Sequence, residues 1–157
     1  MKTDFKKVAR VILLSLIVAT VLFIFVQSML SQEQSKAESD KVGEIVEQVI
    51  PPSTSVGGYV QLNLRKIAHF TEFAILGAEL ALYVLFYLKK LTRGMAIYAI
   101  GLLVALTDEG IQALSSRDPS LFDVGLDFCG FAVAATLVFL VWYVFRFVEK
   151  RKNVNNN

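Results

Sequence analysis

Four long blocks of apolar residues, separated by polar or charged segments, organise this chain of 157 residues. They cover about residues 11–30, 67–88, 94–113 and 124–146. Each block is close to the ~20 residues that an α-helix needs to cross about 30 Å of hydrocarbon. Because a backbone in lipid must satisfy its own hydrogen bonds, blocks of this length predict helices rather than barrel strands. The pattern therefore predicts an all-α membrane protein with a four-transmembrane-helix bundle.

The first block follows a basic start, an arrangement that secretory signal peptides share. The apolar run is long for a signal peptide, and no pair of small residues spaced for cleavage follows it. We therefore predict an uncleaved helix, and cleavage would leave the other three helices with the same orientation. Residues 1–10 are predicted to be a cytoplasmic start, residues 11–150 one membrane domain, and residues 151–157 a disordered tail.

Basic residues are distributed unequally among the segments that flank the blocks. Eleven of the sixteen Lys and Arg residues, but only two of the fourteen acidic residues, fall on the side of the N-terminus. Cytoplasmic segments of membrane proteins carry an excess of Lys and Arg, so both termini are predicted to be cytoplasmic. The eleven residues are Lys2, Lys6, Lys7, Arg10, Lys89, Lys90, Arg93, Arg146, Lys150, Arg151 and Lys152.

Residues 31–64 are predicted to form an outside loop between the first two membrane helices. The loop begins with polar residues, and apolar residues then recur at helical spacing from Val42 to Ile50, ending at Pro51. This pattern predicts a short amphipathic helix that lies on the outer leaflet or caps the bundle. The alternative is a partly ordered surface loop. Residues 53–58 are expected to form a flexible connector.

Polar side chains inside the apolar blocks are costly, since a charge at the centre of a membrane helix costs at least ~2.5–3.5 kcal/mol. The second block starts on the outside, the third ends there and the fourth starts there, so their polar residues are predicted to meet in one layer. Only Glu79 lies deeper. The residues of the layer are His69, Glu72, Asp108, Glu109, Gln112, Arg117, Asp123 and Asp127.

Two interpretations of this layer are open. In a structural one, Arg65, Lys66 and Arg117 pair with the carboxylates and lock the helix ends, and Asp123 caps the fourth helix. Gly77 and Gly130 would then only permit close helix approach. In a functional one, a cation, a shared proton or a substrate offsets the surplus of carboxylates.

The functional interpretation predicts two sets of site residues. Catalytic roles are predicted for His69, Glu72, Asp108 and Glu109, and binding roles for Lys66, Gln112, Arg117, Asp123 and Asp127. A divalent cation is the cofactor that such a site would take, and the sequence leaves its identity open.

Two sets of these polar residues, taken with their neighbours in chain order, resemble the VanZ-like family of bacterial integral membrane proteins. The first stretch contains Lys66, His69, Phe70, Glu72 and Phe73; the later ones contain Asp108, Glu109, Gln112, Arg117, Asp123, Asp127 and Gly130. Asp127 stands where Asn is common in the family. The family is named for a protein associated with low-level resistance to the glycopeptide teicoplanin. The resemblance implies a bacterial cell membrane and a link to the envelope, and it names no reaction.

Three functions follow as hypotheses. The favoured one is binding of a lipid, a lipid-linked wall precursor or a lipophilic glycopeptide antibiotic at an outward-facing polar site. The second is a membrane-embedded enzyme, in which His69 and the carboxylates form an acid–base pair or a metal site. The third is a proton- or ion-coupled transporter subunit, which Glu79 favours and which would require an oligomer. The sequence has no basic patch for nucleic acid, and a single cysteine, Cys129, excludes an internal disulfide.

Overall fold

The computed structural model describes residues 2–88, 92–115, 117 and 119–155, and these residues form five helices. Four of the helices contain stretches that are long and apolar enough to cross a membrane, which confirms the predicted all-α fold with four candidate spans. The helices are α1 (Lys2–Met29), α2 (Gln32–Glu47), α3 (Ser55–Tyr87), α4 (Thr92–Leu114) and α5 (Leu121–Asn155). The candidate spans are Phe5–Met29, Asn63–Tyr87, Gly94–Leu114 and Leu121–Lys152.

Helix α3 begins at Ser55, which corrects the prediction of a flexible connector up to residue 58. Thr54 caps the helix, because its side chain accepts a 3.0 Å hydrogen bond from the Gly57 N–H. Such a cap satisfies one of the N–H groups that a helix start leaves unpaired. Gly57 lies against the Pro51 carbonyl, where a Cβ would collide. The glycine therefore serves close packing at the first turn rather than flexibility.

Helix α2 is present in the segment where a short amphipathic helix was predicted, but it begins ten residues earlier. Ser31 and Gln34 form a reciprocal capping box: each side chain accepts a hydrogen bond from the other residue's backbone N–H. The polar start of the segment is therefore helical as well. Helix α2 packs against α3, and both helices line a small cavity, the α2–α3 pocket, which includes Val42 and Leu64.

Helix α5 continues to Asn155, which corrects the prediction of a disordered tail for residues 151–155. Arg146 and Glu149 form an ion pair of 3.7 Å across one turn, and Lys152 occupies the last turn, where the helix dipole favours a cation. Of the other residues in the sequence predictions, Lys89, Lys90, Asn156 and Asn157 lie outside the described residues.

Helix α3 is the centre of the bundle because it packs against each of the other four helices. Its closest approach is to α5. Gly77 of α3 faces the backbone of Phe131, Gly130 of α5 faces the backbone of Phe70, and a Cβ at either glycine would collide. Small residues allow membrane helices to approach closely and gain van der Waals contact. This contact sets the depth at which the polar residues of α3 and α5 face each other.

The two ends of the bundle differ in chemistry. At the polar end, defined by His69, Gln112 and Asp127, the C-terminal ends of α1 and α4 meet the N-terminal part of α5 beside α3. At the basic end, Arg10 of α1 donates hydrogen bonds of 3.0 and 2.8 Å to the Tyr83 hydroxyl of α3. Between the ends, many large apolar side chains are exposed, as expected of surfaces that face lipid.

Candidate functional site

Gln112 lies at the centre of a buried hydrogen-bond network near the end of α4. Its Nε2 donates a 2.8 Å hydrogen bond to Asp108 Oδ2, one turn earlier on the same helix. Its Oε1 accepts hydrogen bonds from Arg65 Nη2 at 2.7 Å and from Arg117 Nη1 at 3.3 Å. The amide thereby links two cations to one carboxylate, and charged donors make such hydrogen bonds strong.

Asp108 is fully buried, and both of its carboxylate oxygens have partners. Gln112 occupies Oδ2, and the Ser28 hydroxyl of α1 bonds to Oδ1. Ser28 was not among the predicted site residues. It stands out in the sequence as a hydroxyl next to Gln27 in the last turn of α1. Side chains from two helices therefore fix the orientation of this carboxylate.

His69, Asp108 and Asp127 come together from α3, α4 and α5. His69 Nδ1 lies 3.7 Å from Asp108 Oδ2 and 3.8 Å from Asp127 Oδ1, and one donor atom from each residue lies within 4.8 Å of the others. Asp127 is 1 % exposed, and neither of its oxygens has a hydrogen-bond partner among the described residues. His69 Nδ1 also lacks a hydrogen-bond partner among these residues. The three residues form a cluster of donor atoms that the protein itself leaves incompletely paired.

Glu72 and Glu109, the other two predicted catalytic residues, lie around this cluster. Glu109 is buried, and its Oε1 accepts a hydrogen bond from the backbone N–H of Ser120, just before α5. Glu72 is partly buried and, like His69, lines the α2–α3 pocket. Each glutamate has one buried oxygen without a partner in the described part of the chain. Glu109 therefore ties α4 to the start of α5, while Glu72 adds a carboxylate next to the cluster.

Arg117, one of the predicted binding residues, lies inside the protein. It is 6 % exposed, and besides Gln112 it donates a 3.4 Å hydrogen bond from Nη2 to the backbone oxygen of Gln27. Burial and the neighbouring Arg65 charge lower the pKa of the Arg117 guanidinium, and nearby carboxylates act in the opposite direction. Arg117 therefore connects α1 with the network on α4.

A polar pocket of about 240 Å³ opens beside the cluster. Five of the nine predicted site residues line it, whereas Glu72, Asp108, Glu109 and Arg117 do not. Asp123 lies in the first turn of α5 rather than at its N-cap, since the helix already begins at Leu121. The lining residues are Asn63, Arg65, Lys66, His69, Gln112, Asp123, Leu126 and Asp127.

An apolar groove, also of about 240 Å³, adjoins the polar pocket. Asn63, Lys66 and Leu126 line both, and the Lys66 ammonium lies 5.4 Å from the centre of the Phe122 ring. Asn63 was not among the predicted site residues, because it fell within the predicted outside loop. The groove is lined by Tyr59, Asn63, Lys66, Ile67, Phe70, Phe122 and Leu126.

Glu79 stands apart from these residues, on α3 toward the basic end. Its Oε1 accepts a 3.2 Å hydrogen bond from the Thr20 hydroxyl of α1. Its other oxygen is buried and has no partner among the side chains described. The structure therefore gives Glu79 a contact between α1 and α3 and no part in the polar pocket.

Comparison with known protein families gives one finding. The VanZ/LLP1 family model matches residues 11–146, a range that contains all nine predicted site residues. Neither the curated proteins nor the solved structures include a match to this chain. Together with the four apolar helices, the family match describes a multi-pass membrane protein. The chain therefore belongs to the VanZ/LLP1 family.

Proposed function

We propose that this protein binds an amphiphile at its polar end: a membrane lipid or a lipid-linked wall precursor whose head group carries a phosphate. One observation supports this above all. The polar pocket and the apolar groove share the wall formed by Asn63, Lys66 and Leu126. A ligand with a polar head and an apolar chain would occupy both at once.

The size and charge of the pocket favour a head group over a whole ligand. The volume of the polar pocket is below the roughly 300–1,000 Å³ of pockets that enclose drug-sized molecules. The apolar chain of the ligand would therefore remain in the apolar groove. Arg65 and Lys66 supply cations for a phosphate on one side. Asp123 and Asp127 on the other side would accept hydrogen bonds from hydroxyl or amine groups. A head group with both kinds of group, such as a phospho-sugar or phosphoethanolamine, matches this division.

The proposal includes an orientation, with the polar end outside and both termini in the cytoplasm of a bacterial cell. Basic side chains support it, because they lie in the terminal segments of α1 and α5 at the opposite end of the bundle. The described ones are Lys6, Lys7, Arg10, Arg146, Lys150, Arg151 and Lys152. A lipophilic glycopeptide antibiotic, which also reaches the outer leaflet, is a further ligand of the same amphiphilic kind.

Binding to lipid probes tests the proposal. The full chain, purified in mild detergent, would be titrated with fluorescent phosphatidylethanolamine, phosphatidylglycerol, a short-chain polyprenyl diphosphate carrying an amino sugar, and a lipoglycopeptide. Saturable binding of at least one probe is expected. Lys66→Ala should weaken it about tenfold, the equivalent of roughly 1.4 kcal/mol, because one charge-assisted contact is lost.

Lys41→Ala is the matched control. Lys41 is exposed on α2 and does not line the pocket or the groove, so the substitution removes the same charge without touching the site. Equal losses for Lys66→Ala and Lys41→Ala would mean that only net charge matters, and the proposal would then fail. The comparison of the four probes separates a bulk lipid from a wall precursor or an antibiotic.

A second function has a specific observation in its favour. His69 Nδ1 lies between two carboxylate oxygens at 3.7 and 3.8 Å, and His69 also lines the pocket. A histidine with carboxylates close to its ring suits general acid–base catalysis on a head group. Mass spectrometry of each probe after incubation tests this idea. Turnover that His69→Gln abolishes would establish an enzyme, and unchanged probes would leave binding alone.

A further inference from the structure

The cluster of His69, Asp108 and Asp127 contains an electrostatic imbalance that the hydrogen-bond network does not remove. Asp127 is 1 % exposed, and both of its oxygens lack a hydrogen-bond partner among the described residues. A buried carboxylate without a partner is strongly unfavourable. Of the charged residues that the structure describes as buried, three are carboxylates (Asp108, Glu109 and Asp127), and Arg117 is the only cation. The buried residues of the cluster therefore include more carboxylates than cations, a surplus that a bound cation or a shared proton would offset.

The distances within the cluster correspond to ligands of a common ion rather than to hydrogen bonds. His69 Nδ1 lies 3.7 and 3.8 Å from the two carboxylate oxygens, which is too long for hydrogen bonds. Ligands at about 2.0–2.2 Å from one ion are themselves separated by roughly 3–4 Å. The three donor atoms, all within 4.8 Å of one another, need only a small inward movement to reach that geometry.

We propose that His69, Asp108 and Asp127 bind one divalent first-row transition cation, such as Zn²⁺ or Mn²⁺. One imidazole nitrogen with two carboxylates favours these ions over Mg²⁺ and Ca²⁺, which prefer oxygen ligands alone. The +2 charge of the ion would offset the surplus of carboxylates in the cluster. Three protein ligands leave coordination positions free for water or a ligand oxygen, and His69 and Asp127 line the polar pocket through which the ion would enter.

The surroundings of Asp108 support this assignment. Ser28 and Gln112 hold both of its oxygens, and Gln112 is in turn held by Arg65 and Arg117. Groups that orient a metal ligand from outside the coordination sphere typically change metal affinity by about 10–100-fold. Ser28 is thus a positioning residue for the metal site, contributed by a helix that carries no ligand.

Metal binding to the full chain without a histidine tag, in detergent and without added lipid, tests the site independently of the proposed amphiphile. Equilibrium dialysis with Zn²⁺, Mn²⁺ and Mg²⁺, followed by elemental analysis, should give one Zn²⁺ or Mn²⁺ per chain and much weaker Mg²⁺ binding. Asp127→Asn should reduce the Zn²⁺ affinity at least about 100-fold, and Ser28→Ala about 10-fold. Binding of Mn²⁺ should also change its electron paramagnetic resonance spectrum.

Glu79→Gln is the matched control. Glu79 is another carboxylate of the bundle with an unpartnered buried oxygen in the described chain, but it lies outside the cluster, so its substitution should leave Zn²⁺ binding unchanged. Thermal unfolding separates lost binding from lost folding. Asp127→Asn should unfold no earlier than the wild type without metal, because it removes an unpaired charge, and it should lose the stabilisation by Zn²⁺. No stoichiometric binding, or equal affinity in Asp127→Asn, would overturn the site and favour a proton shared between the carboxylates.

Discussion

Gly77 of α3 lies directly against the backbone of Phe131 of α5, so close that a Cβ would collide with the Phe131 carbonyl oxygen. Gly130 makes the reciprocal contact with the Phe70 backbone. These contacts hold α3 and α5 together at the level just below the polar cluster. The contribution of the close approach can be measured, because the chain contains glycines with and without such contacts.

We expect Gly77→Ala and Gly130→Ala each to lower the free energy of unfolding by about 1–3 kcal/mol, because the extra methyl group overpacks the interface. Unfolding in mixed micelles of increasing denaturing-detergent content provides the measurement. Gly110→Ala and Gly125→Ala are the controls, since nothing lies within 4 Å of the position that their Cβ would take. These two should be neutral or stabilising by up to about 1 kcal/mol, because alanine favours helix. A similar loss in all four variants would contradict the packing argument.

Gln112→Ala should destabilise the protein by about 1–3 kcal/mol, because it removes the hydrogen-bond partner of Asp108 Oδ2, Arg65 Nη2 and Arg117 Nη1. Gln112→Glu should be at least as harmful, since it places a second carboxylate 2.8 Å from Asp108. The same unfolding titration measures both. Thr107→Ala on the exposed side of α4 is the control and should change stability by less than about 0.5 kcal/mol. A neutral Gln112→Ala would show that the network carries little energy.

Thr20 and Glu79 should be energetically coupled through their 3.2 Å hydrogen bond. A double-mutant cycle of Thr20→Ala and Glu79→Gln is expected to give a coupling of about 0.6 kcal/mol, the average for hydrogen bonds between membrane helices. Glu79→Gln should leave probe binding unchanged, because Glu79 lies outside the polar pocket. Loss of a proton or ion flux in proteoliposomes on Glu79→Gln would instead favour the transporter hypothesis, which stays a prediction.

The proposed orientation predicts opposite labelling of the two ends of the bundle. In a Cys129→Ser background, a cysteine at Ser53, near the polar end, should react with a membrane-impermeant maleimide in intact cells. A cysteine at Lys150, in the last part of α5, should react only after lysis. Both positions are exposed, so access to the reagent depends on the side of the membrane. The reverse pattern would refute the orientation and move the polar pocket to the cytoplasmic side.

The sequence by itself determined the helices and the composition of the polar layer. Block length alone requires helices in lipid, and helical periodicity together with chain reversal puts His69, Gln112 and Asp127 at one depth. The sequence did not determine where α3 begins, because Gly57 and Gly58 are typical of a connector. The Thr54 cap and the contact of Gly57 with Pro51 show that both glycines belong to the helix. A local pattern cannot show whether a glycine provides flexibility or space for a neighbouring backbone.

The tertiary structure alone decided which residues of the polar layer contact one another and which line the polar pocket. It turned Arg117 inward to Gln27 and Gln112, brought Ser28 from α1 to Asp108, and left Asp127 without a hydrogen-bond partner in the described chain. It also made Asn63 and Lys66 a wall common to the pocket and the groove. These relations depend on the rotation and depth of each helix against its neighbours. Packing between side chains distant in the sequence sets both, and no periodicity within a single helix records them.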